Sequence, residues 1–345
     1  MKIIRLAGPA CQKTRPLWEE VFSEDSKQFV DYYYQHKAPD NIGYAVEEEP
    51  LGSMLFLTPY KACIYGKTRQ LSYIVGVATR ASLRHQGRMT ALLMQAMQDM
   101  YRSRQPFTFL MPANPAIYEP FGFSYVYERR QWSFRDRAFA LQTLEPLMGT
   151  GNCLELAAGR LISLRGQGEG CREAWFTRLA DFANGWLETN CRIYLTRDAA
   201  YYKRQLAELE AQNGDIFLLE KEGNLRGFFL YAREGEEIAL QELLEKEENS
   251  FPFIVEKEER KPIIMARIVH LEELMKLVRS PENRSLLLEV EDDLIPENEG
   301  LYLWEMTPEG SRVTRQREDR KPEVRMTVEE LTEHLIKGVF INEIV

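Results

Sequence analysis

The sequence predicts an α+β protein built in three parts, and three observations carry that prediction. Short apolar strands alternate with amphipathic helices along the whole chain. At 345 residues the chain exceeds what one ordinary core accommodates. The pattern also breaks at Gly149-Thr150-Gly151-Asn152 and changes character at Met265, so parts of 1–148, 149–264 and 265–345 are expected. Hydrophobic residues make up 44%, with 16 Tyr and 17 Phe, which is ample for packed cores and argues against disorder.

The first part reads in order as follows. Residues 2–6 form a strand, and 14–22 and 26–35 form two helices, with Ser23 or Asp25 as caps and Trp18, Val21, Phe22, Phe29, Val30 and Tyr33 on their apolar faces. Residues 41–47 and 54–58 alternate as strands do, about a turn at Pro50-Leu51-Gly52-Ser53. A strand at 71–79 runs into the polar turn Arg84-His85-Gln86-Gly87-Arg88. A helix over 89–102 follows, with Leu92, Leu93, Ala96, Met97 and Met100 at helical spacing. After Pro106 a strand at 107–111 leads to the aromatic segment 114–123, and residues 132–134 close the part as a last strand.

In the second part, 159–171 contains Gly-Gln-Gly-Glu-Gly without a strand–loop–helix frame and reads as a flexible connector. Helices are expected at 172–186 and 198–211, a hairpin at 215–221 and 226–233, and a strand at 237–244. In the third part a strand at 266–271 enters a helix ending near Val278. Strands at 285–290, 300–306 and 311–315 follow, then a helix at 327–337 with Thr327 and Glu330 at capping-box spacing.

Charge and cysteine usage narrow the function. A formal net charge of −9 argues against a phosphate backbone as partner, so no nucleic acid is expected. It permits a cationic substrate without requiring one. Cys11, Cys63, Cys153, Cys171 and Cys191 are scattered, with no Cys-x-x-Cys and no His-Glu-x-x-His, so reduced thiols and no metal are expected. No apolar run reaches the ~18 residues of a membrane span, and the N-terminus lacks a signal-peptide pattern. No membrane association and a cytoplasmic location are the default expectations.

Strand, basic glycine turn and helix together suggest an anion site. The free N–H groups of a helix's first turn favour phosphate, Gly87 lets backbone approach closely, and Arg84, Arg88 and His85 add positive charge. A solvated surface turn is the plainer alternative. What favours the anion site is order: the strand precedes, the helix follows, and the second strand ends in a segment that contains Tyr118.

These residues resemble a known family. Arg84-x-x-Gly87-x-Met89 is similar to the (Gln/Arg)-x-x-Gly-x-(Gly/Ala) acetyl-CoA loop of GNAT-type N-acetyltransferases, with Met in place of the final small residue. The longer string, Gly76-Val77-Ala78-Thr79-Arg80 through Arg84-His85-Gln86-Gly87 to Ile117-Tyr118-x-x-Phe121-Gly122-Phe123, resembles the Eis (enhanced intracellular survival) acetyltransferases. The resemblance implies tandem GNAT-like domains followed by a sterol-carrier-protein-like domain. The second domain is expected to be degenerate. Its 237–244 strand is followed by Glu245-Lys246-Glu247-Glu248, which has no glycine and would repel a pyrophosphate.

The same resemblance implies roles. Acetyl-CoA is the co-substrate, held by Arg84, His85, Gln86, Gly87, Arg88, Met89 and Asn114, with Val77, Ala78 and Thr79 along the pantetheine and a main-chain N–H near Val77 or Thr79 as oxyanion donor. Tyr118 is the general acid; a phenol with pKa about 10 keeps its proton at neutral pH. A core tyrosine is the alternative on general grounds. The α-carboxylate of Val345 is the base, or an orienting group, since its free pKa is about 3.5. A frayed tail is the alternative, against which Ile341, Ile344 and Val345 are apolar. Phe22 and Glu24 lie on the substrate side. The acceptor is a primary amine on an aminoglycoside-like polyamine or a lysine-containing peptide, and a ring-like homo-oligomer, a hexamer, is expected. A non-catalytic acyl-CoA or lipid-binding protein on the same scaffold is the competing reading, given Met89 and the carrier-like third part.

Overall fold

The computed structural model describes residues 1–317 and 320–342. Strand β1 (Ile3–Ala7) leads through a 3-10 turn into α1 (Arg15–Val21) and α2 (Lys27–Tyr32). Ser26 caps α2, its Oγ accepting from the Phe29 N–H at 3.1 Å. The expected cap Asp25 is engaged elsewhere, by the Trp18 indole N–H at 2.8 Å. Strands β2 (Ile42–Val46), β3 (Ser53–Ile64) and β4 (Lys67–Thr79) follow, then α3 (Arg88–Arg102), β5 (Phe107–Leu110) and β6 (Ser124–Phe134). The β3–β4 hairpin is longer than expected at its turn, and β6 begins eight residues before the expected 132 (132 − 124). The charged run Glu128-Arg129-Arg130-Gln131 hides β6 from a hydrophobic pattern.

The chain then passes through a single helical turn, α4 (Arg137–Phe139), to β7 (Cys153–Leu156), β8 (Gly159–Ser163), α5 (Glu169–Asn190), β9 (Ile193–Leu195) and α6 (Ala199–Ala211). Strands β10 (Asp215–Lys221), β11 (Asn224–Glu234) and β12 (Glu237–Glu245) complete this part. The stretch 159–171, expected as a flexible connector, is instead β8, a short turn and the start of α5. The buried Asp215 carboxylate fixes it, accepting from the Ser163 hydroxyl at 2.5 Å and the Arg165 N–H at 2.9 Å.

The last elements are β13 (Ile254–Ile268), α7 (Leu271–Met275), β14 (Arg284–Glu291), β15 (Gly300–Met306), β16 (Ser311–Arg315), β17 (Val324–Thr327) and α8 (Val328–Ile336). The capping box is present: Thr327 Oγ1 accepts from the Glu330 N–H, and Glu330 accepts from the Thr327 N–H.

Three sheets result. The first runs β1-β2-β3-β4-β5-β13-β6, with β9 paired to the far end of β3. The second is antiparallel, β12-β11-β10-β8-β7, and the third is β16-β15-β14-β17. Strand β13 lies between β5 and β6, so a segment reached only after the second sheet completes the first. The expected boundary at 264/265 falls inside this strand. One apolar core joins the first sheet to the third part, with Phe109, Ile264, Leu274, Tyr302 and Leu335 all buried in it. Among the described residues no helix is long and apolar enough to cross a membrane. The five cysteines are free thiols.

Candidate active site

The site begins where β4 and β5 part. They pair in parallel only at Ser72↔Thr108, Tyr73↔Phe109 and Ile74↔Leu110. Beyond Ile74, β4 continues to Thr79 while the chain after Leu110 turns away, which leaves backbone of β4 unpaired on that side. On its other side β4 pairs with β3, and the register slips between Met54↔Ala78 and Phe56↔Val75. Two residues of β4, Gly76 and Val77, therefore face one of β3, which is a β-bulge. Gly76 sits at φ +61, and a Cβ there would lie 2.5 Å from Trp18 Cζ3, so only glycine fits.

The bend after β4 is held by its own side chains. Arg84 Nε–H donates to the Thr79 carbonyl at 3.1 Å, and Gln86 Nε2 to the Ser82 carbonyl at 3.2 Å. His85 and Gly87 have φ +58 and +74. Gly87 is the N-cap of α3 without a side-chain cap, and among the described residues nothing accepts from the Arg88, Met89 or Thr90 N–H groups. A Cβ at Gly87 would meet nothing within 4 Å. Open N–H groups, a helix dipole and an approachable backbone are what a pyrophosphate requires. Arg88 is committed to Glu48 at 2.5 Å and Gln86 at 2.7 Å, whereas the Arg84 guanidinium is exposed at the bend. Met89 packs its side chain against the first core.

Tyr118 reaches the crevice from the other side. Asn114 Oδ1 caps a 3-10 turn by accepting from the Ala116 N–H at 3.1 Å, and Tyr118 ends that turn, its N–H on the Pro115 carbonyl at 2.8 Å. A second turn closes on it, since the Tyr118 carbonyl accepts from the Phe121 N–H at 2.9 Å. The Tyr118 ring is 7% exposed and packs edge-on to Phe123. Burial pushes its phenol up to about 12. Among the described residues no side chain hydrogen-bonds its hydroxyl.

A cleft of about 730 Å³ gathers these pieces. Tyr73 to Val77, Met111 to Ala113 and Tyr118 form its floor, and Trp18, Phe22, Glu24 and Phe29 form one wall. The second part contributes Gln212, Asn213, Arg233 and Gly235 to the lining. Of the expected site residues, Val77, Tyr118, Phe22 and Glu24 meet in this cleft. Ala78 is buried, and the Thr79 hydroxyl is shared with Ser53 at 2.7 Å. Residues 84–89 lie beyond the cleft, past the free end of β4. Asn114 appears as a turn cap.

Sequence reasoning did not find Trp18, Asp25, Gln212, Asn213 or Arg233 as cleft residues. An isolated glycine in a strand is a bulge signal, so Gly76 was available to it. Nothing local marks the second part's lining residues. Arg233 is held by Glu145 at 2.7 Å and by the Gly235 carbonyl, and Asn213 adopts φ +52 before Gly214.

Val345 lies outside the described residues. The described run before it, Phe340 to Asn342, docks. The Phe340 N–H donates to the Ile193 carbonyl at 2.9 Å, Ile341 is wholly buried, and Asn342 Nδ2 reaches the Gln241 carbonyl at 2.9 Å and Glu242 Oε2 at 3.1 Å. Glu242 is itself clamped by both Nη groups of the buried Arg197 at 2.6 Å. Gln241 Nε2 in turn donates to Gln212 Oε1 at 2.9 Å, on the cleft wall.

In the second part no helix follows β12 among the described residues; the chain turns into β13. Glu245 fills that turn, accepting from the Asn249 and Ser250 N–H groups.

Comparison with known proteins identifies two domains by sequence and relates the whole chain by fold. Residues 3–126 match the acetyltransferase (GNAT) domain family, and residues 271–344 match the sterol carrier protein domain family. A conserved protein of unknown function from Enterococcus faecalis V583, described as a probable N-acyltransferase, superposes with a TM-score of 0.76 at 14% identity, over 98% of this chain and 90% of that one. A GCN5-related N-acetyltransferase from Anabaena variabilis gives 0.72 at 14% identity over 96% and 89%. Eis1 from Mycobacterium abscessus gives 0.69 at 11% identity over 97% and 90%. At these identities the likeness is one of fold. Among curated proteins none matches this chain in sequence.

Proposed function

We propose, for an enzyme that carries a GNAT acetyltransferase domain at its N-terminus and a sterol carrier protein domain at its C-terminus, that it moves an acetyl group from acetyl-CoA to a primary amine in the manner of the Eis-like acetyltransferases. The observation that carries this reading is the parting of β4 from β5 beyond Ile74: the buried Tyr118 lines one cleft with the freed stretch of β4, and the same strand runs on through the bend to the uncapped start of α3. The first-turn N–H groups at 88–90, with Arg84, fit the pyrophosphate. The free edge of β4 at Val77 to Thr79 fits the pantetheine amides as an added strand would. The bulge at Gly76 and Val77 turns a main-chain N–H out of the ladder, which suits it to the thioester oxygen.

The reaction balances as a direct transfer. The amine nitrogen bonds to the thioester carbonyl carbon, the C–S bond breaks, and the departing thiolate takes the Tyr118 proton. The attacking nitrogen loses a proton, and the phenolate is reprotonated from the amine side or from water. Burial that raises the phenol raises the basicity of a thiolate in the same dry crevice, so the two stay matched for proton transfer. The Val345 carboxylate would take or relay the amine proton; the docked run from Phe340 to Asn342, which ends two hydrogen bonds from the cleft wall, supports that route.

Glu24, Asp25 and the aromatic wall suit a cationic acceptor, aminoglycoside-like or a lysine-containing peptide. A homo-oligomer and a cytoplasmic location belong to the same proposal. The test is acetyl-CoA turnover with a panel of aminoglycosides, polyamines and lysine peptides, comparing wild type with Tyr118→Phe. The expected result is transfer to at least one amine and a loss of about 10²–10⁴-fold in kcat in the variant. Acetyl-CoA binding without transfer to any amine would instead favour a non-catalytic acyl-CoA carrier.

A further inference from the structure

The Tyr118 turn is held by a side chain from outside the first part. Arg267 on β13 is wholly buried. Its Nε–H donates to the Phe121 carbonyl at 2.6 Å, its Nη1 to the Ile268 carbonyl at 2.7 Å and its Nη2 to Asp292 Oδ1 at 2.5 Å. Asp292, also buried, follows β14 in the third part. Its Oδ1 further accepts from the Leu294 and Ile295 N–H groups at 3.1 and 3.0 Å, and its Oδ2 from Asn298 Nδ2 at 2.9 Å. Asn298 is fixed in turn by the Leu271 N–H and the Val269 carbonyl, each at 3.0 Å.

Stability alone is a poor reason for such a pair. Desolvating a guanidinium and a carboxylate costs as much as their attraction returns, and apolar side chains of the same volume often do better. What the pair supplies is direction: a rigid fork that reaches one backbone oxygen. That oxygen lies in the turn whose N–H groups at Phe121 and Phe123 both donate to the Tyr118 carbonyl, at 2.9 and 3.4 Å. Between them Gly122, at φ +74, has no room for a side chain; a Cβ would stand 3.1 Å from Arg267 Nε and 2.9 Å from Glu329 Oε1. Arg267 of β13 bonds the turn, Asp292 after β14 holds Arg267, and Val328 and Glu329 of α8 crowd the turn at Gly122.

We propose that Arg267, oriented by Asp292, is a positioning residue that sets the Tyr118 hydroxyl against the crevice, so that the third domain acts as a strut for the general acid. The proposal rests on the reading of Tyr118 as that acid.

The test places Asp292→Asn and Arg267→Lys in the full-length protein, each in the wild-type and Tyr118→Phe backgrounds, with the best amine of the panel above. In Arg267→Lys the ammonium can hold Asp292 but cannot fork to Phe121 as well, so that variant keeps the buried charge pair and the fold. In the wild-type background kcat should fall about tenfold to a hundredfold, the loss expected when a reacting group is misplaced by ~1 Å. KM for acetyl-CoA should stay within about twofold. In the Tyr118→Phe background the same substitutions should change the residual rate by less than about twofold, because the group they position is gone. An equal fold-loss in both backgrounds overturns the strut while leaving the acid intact. An undiminished kcat in Tyr118→Phe alone overturns the acid reading and the strut with it.

Discussion

Two glycines with nearly the same backbone should respond very differently to a methyl group. Gly76 (φ +61) and Gly87 (φ +74) are both left-handed, so alanine at either costs about 1–2 kcal/mol in backbone strain. At Gly87 that is the whole effect, since no atom lies within 4 Å of the new Cβ. At Gly76 the Cβ would stand 2.5 Å from Trp18 Cζ3, 3.2 Å from Cε3 and 3.3 Å from Phe56 Cδ2. Ordinary carbon contacts begin near ~3.5 Å, so the indole must move by about 1 Å. Trp18 is 3% exposed, bonded to Asp25 at 2.8 Å and packed on Tyr33 at a centroid distance of 4.3 Å, so it cannot swing aside. Overpacking of this kind adds about 1–3 kcal/mol, giving a total near 2–5 kcal/mol for Gly76→Ala. Urea unfolding followed by near-ultraviolet dichroism measures the difference. A gap of less than about 0.5 kcal/mol between the two variants would refute the packing argument. The kinetic split should match: Gly76→Ala disturbs Trp18 and Asp25 in the cleft and raises KM for the amine, while Gly87→Ala raises KM for acetyl-CoA.

Arg84→Ala should weaken acetyl-CoA binding about tenfold, and more than Arg88→Ala, because Arg88 already neutralises Glu48; calorimetric titration of both variants decides the order. Asp215 is raised from 3.8 to about 6 because burial outweighs its three hydrogen bonds, so the folded protein holds that proton more tightly than the unfolded chain. The resulting stabilisation is complete below about pH 4 and is lost as pH rises through 6. Relative to Asp215→Asn, wild type should therefore gain on the order of 3 kcal/mol on acidification from neutral pH to about 4, and parallel stability curves for the two would contradict it. Thr327→Ala removes one half of the α8 capping box and should cost about 1 kcal/mol, read as a lower melting temperature without a change in acetyl-CoA KM.

What the sequence made legible was local. The switch from period two in 71–79 to helical period in 89–102, with Gly87 between them, placed β4, the bend and α3 together. The Thr327–Glu330 box was readable for the same reason, since both partners lie within one turn. Elements defined by distant partners were not readable. Residues 59–64 and 67–70 extend the β3–β4 hairpin because β9 covers its end. Strand β6 is charged along much of its length, and its pairing with β13 involves residues more than a hundred positions away. The cleft shows the same division: Phe22, Glu24, Val77 and Tyr118 carry motif or helix-end signals, whereas Gln212, Asn213 and Arg233 reach it only through the packing of the second sheet. Arg267 reads in sequence as one more polar residue in a strand, and only its burial beside Phe121 and Asp292 separates it from the rest.

A crystal structure of the full-length protein with acetyl-CoA tests the central claim most directly. The expected electron density puts the pyrophosphate against the main-chain N–H groups at 88–90, the pantetheine along β4 from Thr79 toward Val77, and the sulfur within hydrogen-bonding reach of the Tyr118 hydroxyl. A cofactor bound elsewhere, or a sulfur turned away from Tyr118 with the Gly87 bend collapsed onto protein atoms, would contradict it.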